Sequence, residues 1–176
     1  IIGPFPQRMR TDTHGTATKP PAEILGIPIA FNQHHPGVAD ARGFFKWKRI
    51  VIGEAFLKLD QRIQRAILLH EAKHCLSYHM EKRVALIGLS FAPLLLLPPL
   101  MLAIALAVAG LSFLSYWIGK RHELEADAFV VKSGFGLEIA LFLKETHHPE
   151  PSPFYPSYEE RQGAIEKFLC EQVKQS

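Results

Sequence analysis

Residues 67–74 read ILLHEAKH, and this stretch decides the fold. Asp60 is a residue type that favours the start of a helix, and Ile63 behind it begins a run of apolar residues at helical spacing. The pattern therefore predicts a helix that runs through the stretch. On such a helix His70 and His74 lie four positions apart on one face, so both imidazole rings can reach one metal ion.

Glu71 stands inside this H-E-x-x-H motif, beside the face that the two histidines share. Its carboxylate can take a proton from a metal-bound water, which is the chemistry of zinc-assisted peptide hydrolysis. The alternative is a surface helix that carries two histidines and a glutamate by chance, and the nine histidines of the chain raise that chance. The apolar residues directly before the motif favour the functional interpretation.

A catalytic zinc ion usually takes three protein ligands and leaves one position for water. A metzincin would have glycine and histidine where this sequence has Ser77 and Met80, so that class is excluded. The better candidates are Glu123 and Asp127, which form an E-x-x-x-D pattern beyond an apolar segment. We expect Glu123 to bind the ion and Asp127 to accept the free ring N–H of a ligating histidine. Glu125 is expected on the surface.

The apolar segment from Val84 to Ile118 contains no charged residue in 35 positions. Roughly 18 such residues indicate a transmembrane helix. Pro98 and Pro99 would break a single helix, so the sequence predicts a membrane hairpin over 84–118. At roughly 20 residues per crossing, the segment is short for two full spans.

The position of the motif residues bears on the membrane topology. If His74 and Glu123 share one ion, the chain between them must cross the membrane an even number of times. Basic pairs at 82–83 and 120–121 flank the hairpin. By the positive-inside rule both ends, and the site with them, face the cytoplasm. We therefore expect an integral membrane protein of the bacterial inner-membrane type.

The fold class expected for the chain is α+β and mostly helical. Residues 1–23 are read as an extended N-terminal segment and 24–176 as one domain. Two strands are predicted at 24–31 and 44–52, the first at a sheet edge because it contains Pro28. Later helices are expected at 120–132, 137–145 and 158–173.

Charge and cysteine content exclude several classes of protein. The chain has 20 basic and 17 acidic residues, an excess too small to indicate a nucleic-acid partner. Cys75 and Cys170 are too few for a disulfide framework. Residues 1–10 lack a charged region followed by an apolar run, so no signal peptide is predicted there.

Several stretches together resemble the HtpX-like membrane metallopeptidases, relatives of the CAAX prenyl proteases in the gluzincin group. These are HEAKH at 70–74, the apolar hairpin at 84–118, RHELEADAF at 121–129 and PSYEER at 156–161. The resemblance runs from roughly 25 to 167. The pairing of HEAKH with ELEAD around a hairpin is its most specific part.

The resemblance implies a zincin-like catalytic core with a small edge sheet and an inserted hydrophobic hairpin. Carried over by position, it implies zinc ligands at His70, His74 and Glu123, with Glu71 as general base. The family generally carries further membrane helices before the core. This chain shows none there, so it resembles a reduced version.

The late loop departs from the family, whose members often have His-Pro where this chain has Tyr155-Pro156. The Tyr155 phenol could donate to the developing oxyanion, or it could be a loop aromatic that packs on the core. His147 or His148 could take the same catalytic role. Arg161 is expected to pair with a buried carboxylate and to orient the loop.

These features predict a membrane-embedded zinc endopeptidase that acts in membrane-protein quality control. Its expected partners are polypeptide substrates, chiefly membrane proteins, and the lipid bilayer; an oligomer is compatible with the sequence. We expect the strand at 44–52 to lie at an edge of the sheet and the substrate to extend along it through main-chain hydrogen bonds. The expected cleft residues are Ala39, Phe44, Trp47 and Ile50.

Three alternatives stay open at this point. A regulatory site protease would cut one signalling partner, although no sensor domain is visible in the sequence. A zinc-stabilised membrane scaffold would have no turnover, and Glu71 counts against it because a structural site needs no base. A soluble enzyme could bury the apolar segment in an oligomer.

Overall fold

The computed structural model describes residues 21–90, 100–146 and 155–175. Helices dominate, and the four short strands come before the long helices in the chain, in agreement with the expected α+β class. The strands are β1 (Glu23–Ile24), β2 (Ile27–Phe31), β3 (Ala39–Arg42) and β4 (Arg49–Ile52). The helices are α1 (Glu54–Leu57), α2 (Gln61–Leu76), α3 (His79–Ser90), α4 (Leu100–Lys132), α5 (Gly136–Glu145) and α6 (Tyr158–Gln175).

The sheet has the strand order β1-β2-β4-β3, with β2 parallel and β3 antiparallel to β4. This corrects the expectation that the strand at 44–52 lies at an edge. β4 is internal because it lies between β2 and β3. Its Ile50 and Ile52 are fully buried, so its apolar run packs into the core. The edge strand beside it is β3.

Two further strand predictions need correction. Residues before Arg49 do not continue β4, because Phe45–Trp47 form a 3₁₀ turn. The strand with Pro28 is not at the edge either, since β2 lies between β1 and β4. Pro28 is tolerated because its neighbour there, β1, is only two residues long.

Helix α2 begins as the sequence predicts, because the Asp60 carboxylate accepts a hydrogen bond from the Arg62 N–H at 2.8 Å. Its apolar face packs on the sheet and against α4 and α5, and α6 packs on α4 and α5 in turn. The largest fully buried core side chains come from every one of these layers: Phe56, Ile50, Ile52, Leu68, Ile139, Ile165, Val130 and Val131.

Helix α4 joins two segments that the sequence separated. The apolar residues from Leu100 onward and the E-x-x-x-D pattern belong to one helix of 33 residues. It ends at Lys132, where Gly134 follows with a φ of +84°, a left-handed conformation that favours glycine at a helix end. Ser157 and Glu160 form the reciprocal pair of bonds that starts α6.

The predicted membrane hairpin falls on the end of α3, on residues 91–99 and on the first half of α4. Pro98 and Pro99 lie outside the described residues. Within 21–90, 100–146 and 155–175, no helix combines the length and the apolar character that a membrane crossing requires.

Replacing Phe56 with alanine tests the core beneath the site. The ring is fully buried in the hydrophobic core, so Phe56→Ala should lower the free energy of unfolding by about 3–5 kcal/mol. Urea unfolding followed by circular dichroism measures the change. The matched control is Phe31→Ala, where the ring is half exposed and the loss should stay within about 0.5 kcal/mol. Equal losses in both variants would contradict this description of the core.

Candidate metal centre

Helices α2 and α4 bring the three predicted ligands together. The Nε2 atoms of His70 and His74 lie 3.1 Å apart. Glu123 Oε2 lies 3.3 Å from His70 Nε2, and Glu123 Oε1 lies 3.5 Å from His74 Nε2. Over the described part of the chain, these three residues are the one group of histidine, cysteine and acidic side chains found at such mutual distances.

The spacing and chemistry of these atoms fit zinc. A tetrahedral zinc ion with bonds of about 2.0–2.1 Å holds its ligand atoms about 3.3 Å apart, close to the 3.1 Å between the two imidazole nitrogens. One oxygen of Glu123 lies at a similar distance from His70, and the other oxygen lies at a similar distance from His74. Two imidazoles and one carboxylate form the donor set of many catalytic zinc sites. Burial opposes ionisation of Glu123, but His70, His74 and Arg161 outweigh it and hold the pKa of this carboxyl below its ordinary value. The ligand oxygen is therefore anionic.

Asp127 lies one turn after Glu123 and is completely buried. Its Oδ1 lies 3.0 Å from His70 Nδ1, on the side of the ring away from the ligand atom. Arg161 of α6 donates two hydrogen bonds to the same carboxylate, from Nε at 2.7 Å and from the terminal nitrogen at 2.6 Å. This chain of contacts sets the orientation of the His70 ring.

The two histidines differ in protonation. Burial lowers the pKa of His70, but its contacts with Asp127 and Glu123 outweigh burial and raise that pKa to about 10. Burial and the neighbouring His70 lower the pKa of His74 to about 3. Without an ion, the cluster thus carries one proton on His70, and an incoming zinc ion must displace it.

Glu71 projects into the same cavity from the neighbouring face of α2. Its Oε2 accepts a hydrogen bond of 2.8 Å from the Ala41 N–H of the edge strand β3. Burial raises the pKa of Glu71 to about 7, and Glu123 and Asp40 add to this rise while His70 opposes it. The side chain is therefore poised to gain and lose a proton near neutral pH.

Two histidines that sequence reasoning missed complete the cluster. His79 Nδ1 lies 2.8 Å from His74 Nδ1, and the His79 ring stacks on His122 with 3.7 Å between ring centres. Glu125, expected on the surface, is exposed, and its Oε2 also lies 3.5 Å from His79 Nε2. His122 directly precedes Glu123, so its adjacency to the proposed ligand was the signal that could have found it. The helical periodicity of α2 could not predict the position of His79, because α2 ends at Leu76 and a turn precedes His79.

The site opens into a cavity of about 1020 Å³. Ala39, predicted as a cleft residue, and Tyr155, predicted as a candidate oxyanion donor, line this cavity. Phe44, Trp47 and Ile50 do not line it. Ile50 is fully buried in the core, and the two aromatic residues precede β4 in the 3₁₀ turn region. His147 and His148 lie outside the described residues.

Comparison with known proteins adds little to this geometry. No family model and no curated protein matches the chain. Among solved structures, the crystal structure of S. mikatae Ste24p is similar over 72% of this chain, with 22% identity and a TM-score of 0.49. The chain spans 41% of the length of that protein. The chemistry of the site therefore rests on its own geometry.

His79 should strengthen zinc binding through its contact with His74. His79→Ala removes the partner that holds the His74 ring, so zinc affinity should fall roughly 10–100-fold. Competition with a fluorescent chelator measures this affinity. His34→Ala, in an exposed loop, is the matched histidine control and should leave it unchanged. Equal affinities in the two variants would remove His79 from the site.

Zinc binding should release one proton from His70. With a pKa of about 10 for His70, the affinity should rise roughly tenfold per pH unit from about pH 8 to about pH 10. Calorimetry in buffers of different ionisation enthalpy counts the released protons directly. Asp127→Asn removes a carboxylate that holds this proton, so the variant should release fewer. Release of no proton by the wild type would show that His70 is already neutral.

Proposed function

We propose that this protein is a zinc endopeptidase in which His70, His74 and Glu123 hold the ion and Glu71 is the general base. The observation that carries the proposal is the meeting of these ligand atoms at the separations of one ion, in a cavity that Glu71 also borders. The proposed substrate rests on the edge strand that lines the cavity, and the proposed membrane contact rests on the exposed apolar side chains of α3 and α4.

The proposed mechanism divides the work between the ion and the side chains. Bound zinc would polarise the scissile carbonyl and acidify a water molecule. Glu71 takes the proton of that water and returns it to the leaving amine, which its pKa of about 7 suits. The Ala41 N–H fixes one oxygen of this carboxylate and so keeps the base oriented in the cavity.

Tyr155 is the proposed donor to the oxyanion. It is half exposed, borders the cavity and stands at the start of the segment that leads into α6. Removing one oxyanion donor typically costs a hundredfold or more in rate. A loop aromatic with no catalytic contact is the alternative role for this side chain.

The substrate is proposed to be an extended polypeptide bound along β3. This strand forms the edge of the sheet and lines the cavity at Ala39, Asp40 and Ala41. An edge strand offers its main-chain groups to an added strand, and such binding tolerates many sequences. That tolerance suits the turnover of damaged proteins better than the cutting of one signalling partner.

Contact with lipid is the membrane part of the proposal. Helices α3 and α4 expose many large apolar side chains, and a surface that faces water rarely exposes so many together. A bilayer would cover them, and a second copy of this chain is the other candidate. The exposed residues are Val84, Leu89, Leu102, Ile104, Leu106, Val108, Phe113 and Trp117.

A zinc-stabilised scaffold without turnover is the second candidate function. A purely structural site is closed by four ligands and needs no proton acceptor. Here three ligand residues meet beside a large cavity, and a carboxyl group with a raised pKa borders it. These features favour an enzyme.

Two substitutions separate the roles of base and ligand. Glu71→Gln should retain zinc and lose roughly 10²–10⁴ of the rate of casein cleavage, because only the proton acceptor is removed. Glu123→Ala should lose both zinc and cleavage. Metal analysis and a casein assay on detergent-purified protein make the comparison, with Glu171→Ala, on an exposed face of α6, as the acidic control. Full cleavage by Glu71→Gln would refute the mechanism, and full zinc in Glu123→Ala would refute the ligand set.

A further inference from the structure

Three aromatic side chains are exposed to solvent beside the site, in a segment that the proposed mechanism does not use. We call residues 44–47 the aromatic loop. Phe44, Phe45 and Trp47 are 40%, 68% and 71% exposed. Tyr78, at the junction of α2 and α3, is half exposed as well. A cluster of exposed large aromatic side chains of this kind marks a contact surface.

The aromatic loop is held in place by the helices behind it. The Phe45 N–H donates to Glu81 Oε1 of α3 at 2.8 Å. Lys48 donates to the Cys75 carbonyl at 2.6 Å and pairs with Glu81 at 3.0 Å, and its ammonium group lies 3.4 Å from the ring centre of Tyr78. The rings therefore project from a fixed backbone.

The backbone of this loop is strained in a way that core packing cannot explain. Phe45 has a φ of +48°, which is unfavourable for a bulky side chain. Gly43, at +94°, has no room for a side chain, because an added Cβ would run into the Trp47 carbonyl. The Phe45 ring is exposed in this conformation, so burial of the ring does not compensate the strain.

The position of the loop matches a membrane surface. Glu81, which holds it, lies three residues before Val84, where the uncharged segment begins. Exposed basic residues, Lys46 and Arg49, stand among the aromatic ones. Tryptophan, tyrosine and lysine at the end of an apolar segment are the residues that anchor proteins at the level of lipid headgroups.

We propose that the aromatic loop is an interfacial anchor that inserts into the headgroup region of a bilayer with anionic lipids. The proposal rests on the lipid contact of α3 and α4 proposed above. Arg42 and Gly43, directly before the loop, line the cavity. The anchor thus holds the mouth of the cavity at the membrane surface, and the polypeptides cleaved there are segments close to the bilayer.

The basic side chains favour this occupant over a protein partner. Lys46 and Arg49 attract anionic headgroups, and basic residues near such a surface each strengthen binding. A substrate polypeptide is the other candidate, since the sequence predicted Phe44 and Trp47 in the cleft. The cavity lining excludes both residues, so the loop lies beside the cleft and outside it.

The fluorescence of Trp47 tests the anchor without any need for turnover. In a Trp117→Phe protein, Trp47 is the remaining tryptophan of the chain. On vesicles of phosphatidylcholine with phosphatidylglycerol, its emission should shift to shorter wavelength and be quenched by lipids with brominated chains. The effect should weaken on phosphatidylcholine alone. If the protein binds the vesicles but the Trp47 emission does not shift and is still quenched by acrylamide in water, the proposal is overturned. It is also overturned if the protein does not float with either kind of vesicle.

A pair of substitutions tests the consequence for cleavage. Phe45→Asn with Trp47→Ser keeps the backbone, since asparagine tolerates the positive φ of position 45. The variant should cleave casein in detergent at the wild-type rate and cleave a reporter tethered close to a bilayer about tenfold more slowly. Phe31→Ser is the matched control and should change neither rate, because Phe31 pairs with Ile52, at the end of β4 away from the loop.

The outcomes separate this proposal from the proposed peptidase. Equal loss of casein and reporter cleavage in the variant would make the loop part of the substrate cleft or of the fold, and would overturn the anchor. Loss of neither would overturn it too. Lipid burial of Trp47 in a protein that cleaves nothing would support the anchor while the peptidase proposal failed.

Discussion

The rest of the site depends on the buried ion pair between Asp127 and Arg161. Asp127 is fully buried on α4, Arg161 reaches it from α6, and His70 of α2 touches it from the other side. One carboxylate therefore ties three helices together. Removing one partner of such a pair leaves a buried charge without compensation, which typically costs about 3–5 kcal/mol. The same contact that joins the helices sets the angle of a proposed ligand.

The charges of the cluster balance one another. Glu123 and Asp127 are ionised, and Arg161 together with a proton on His70 compensates them. The proposed zinc ion would take the place of that proton, because the two imidazole nitrogens already lie 3.1 Å apart and the Glu123 carboxylate lies beside both. Burial raises the pKa of Glu71, and the nearby carboxylates raise it further because they disfavour another negative charge.

The continuity of α4 couples two parts of the molecule that differ in chemistry. Its first half exposes apolar side chains, and its second half supplies Glu123 and Asp127. The apolar surface and the proposed ligand Glu123 therefore belong to one continuous helix. The aromatic loop is bonded to Glu81 of α3, which lines the cavity, so the proposed surface contact and the substrate cavity are adjacent.

The sequence by itself determined the features that depend on local geometry. The spacing of His70, Glu71 and His74 places them correctly on any helix, and the capping patterns at Asp60 and Ser157 predict where helices begin. The tertiary structure alone decided the rest, because strand order and loop position depend on contacts between distant residues. It placed β4 inside the sheet and the aromatic loop outside the cavity. His79 reaches His74 only because the chain reverses at Tyr78, whose φ of +55° no periodicity could predict.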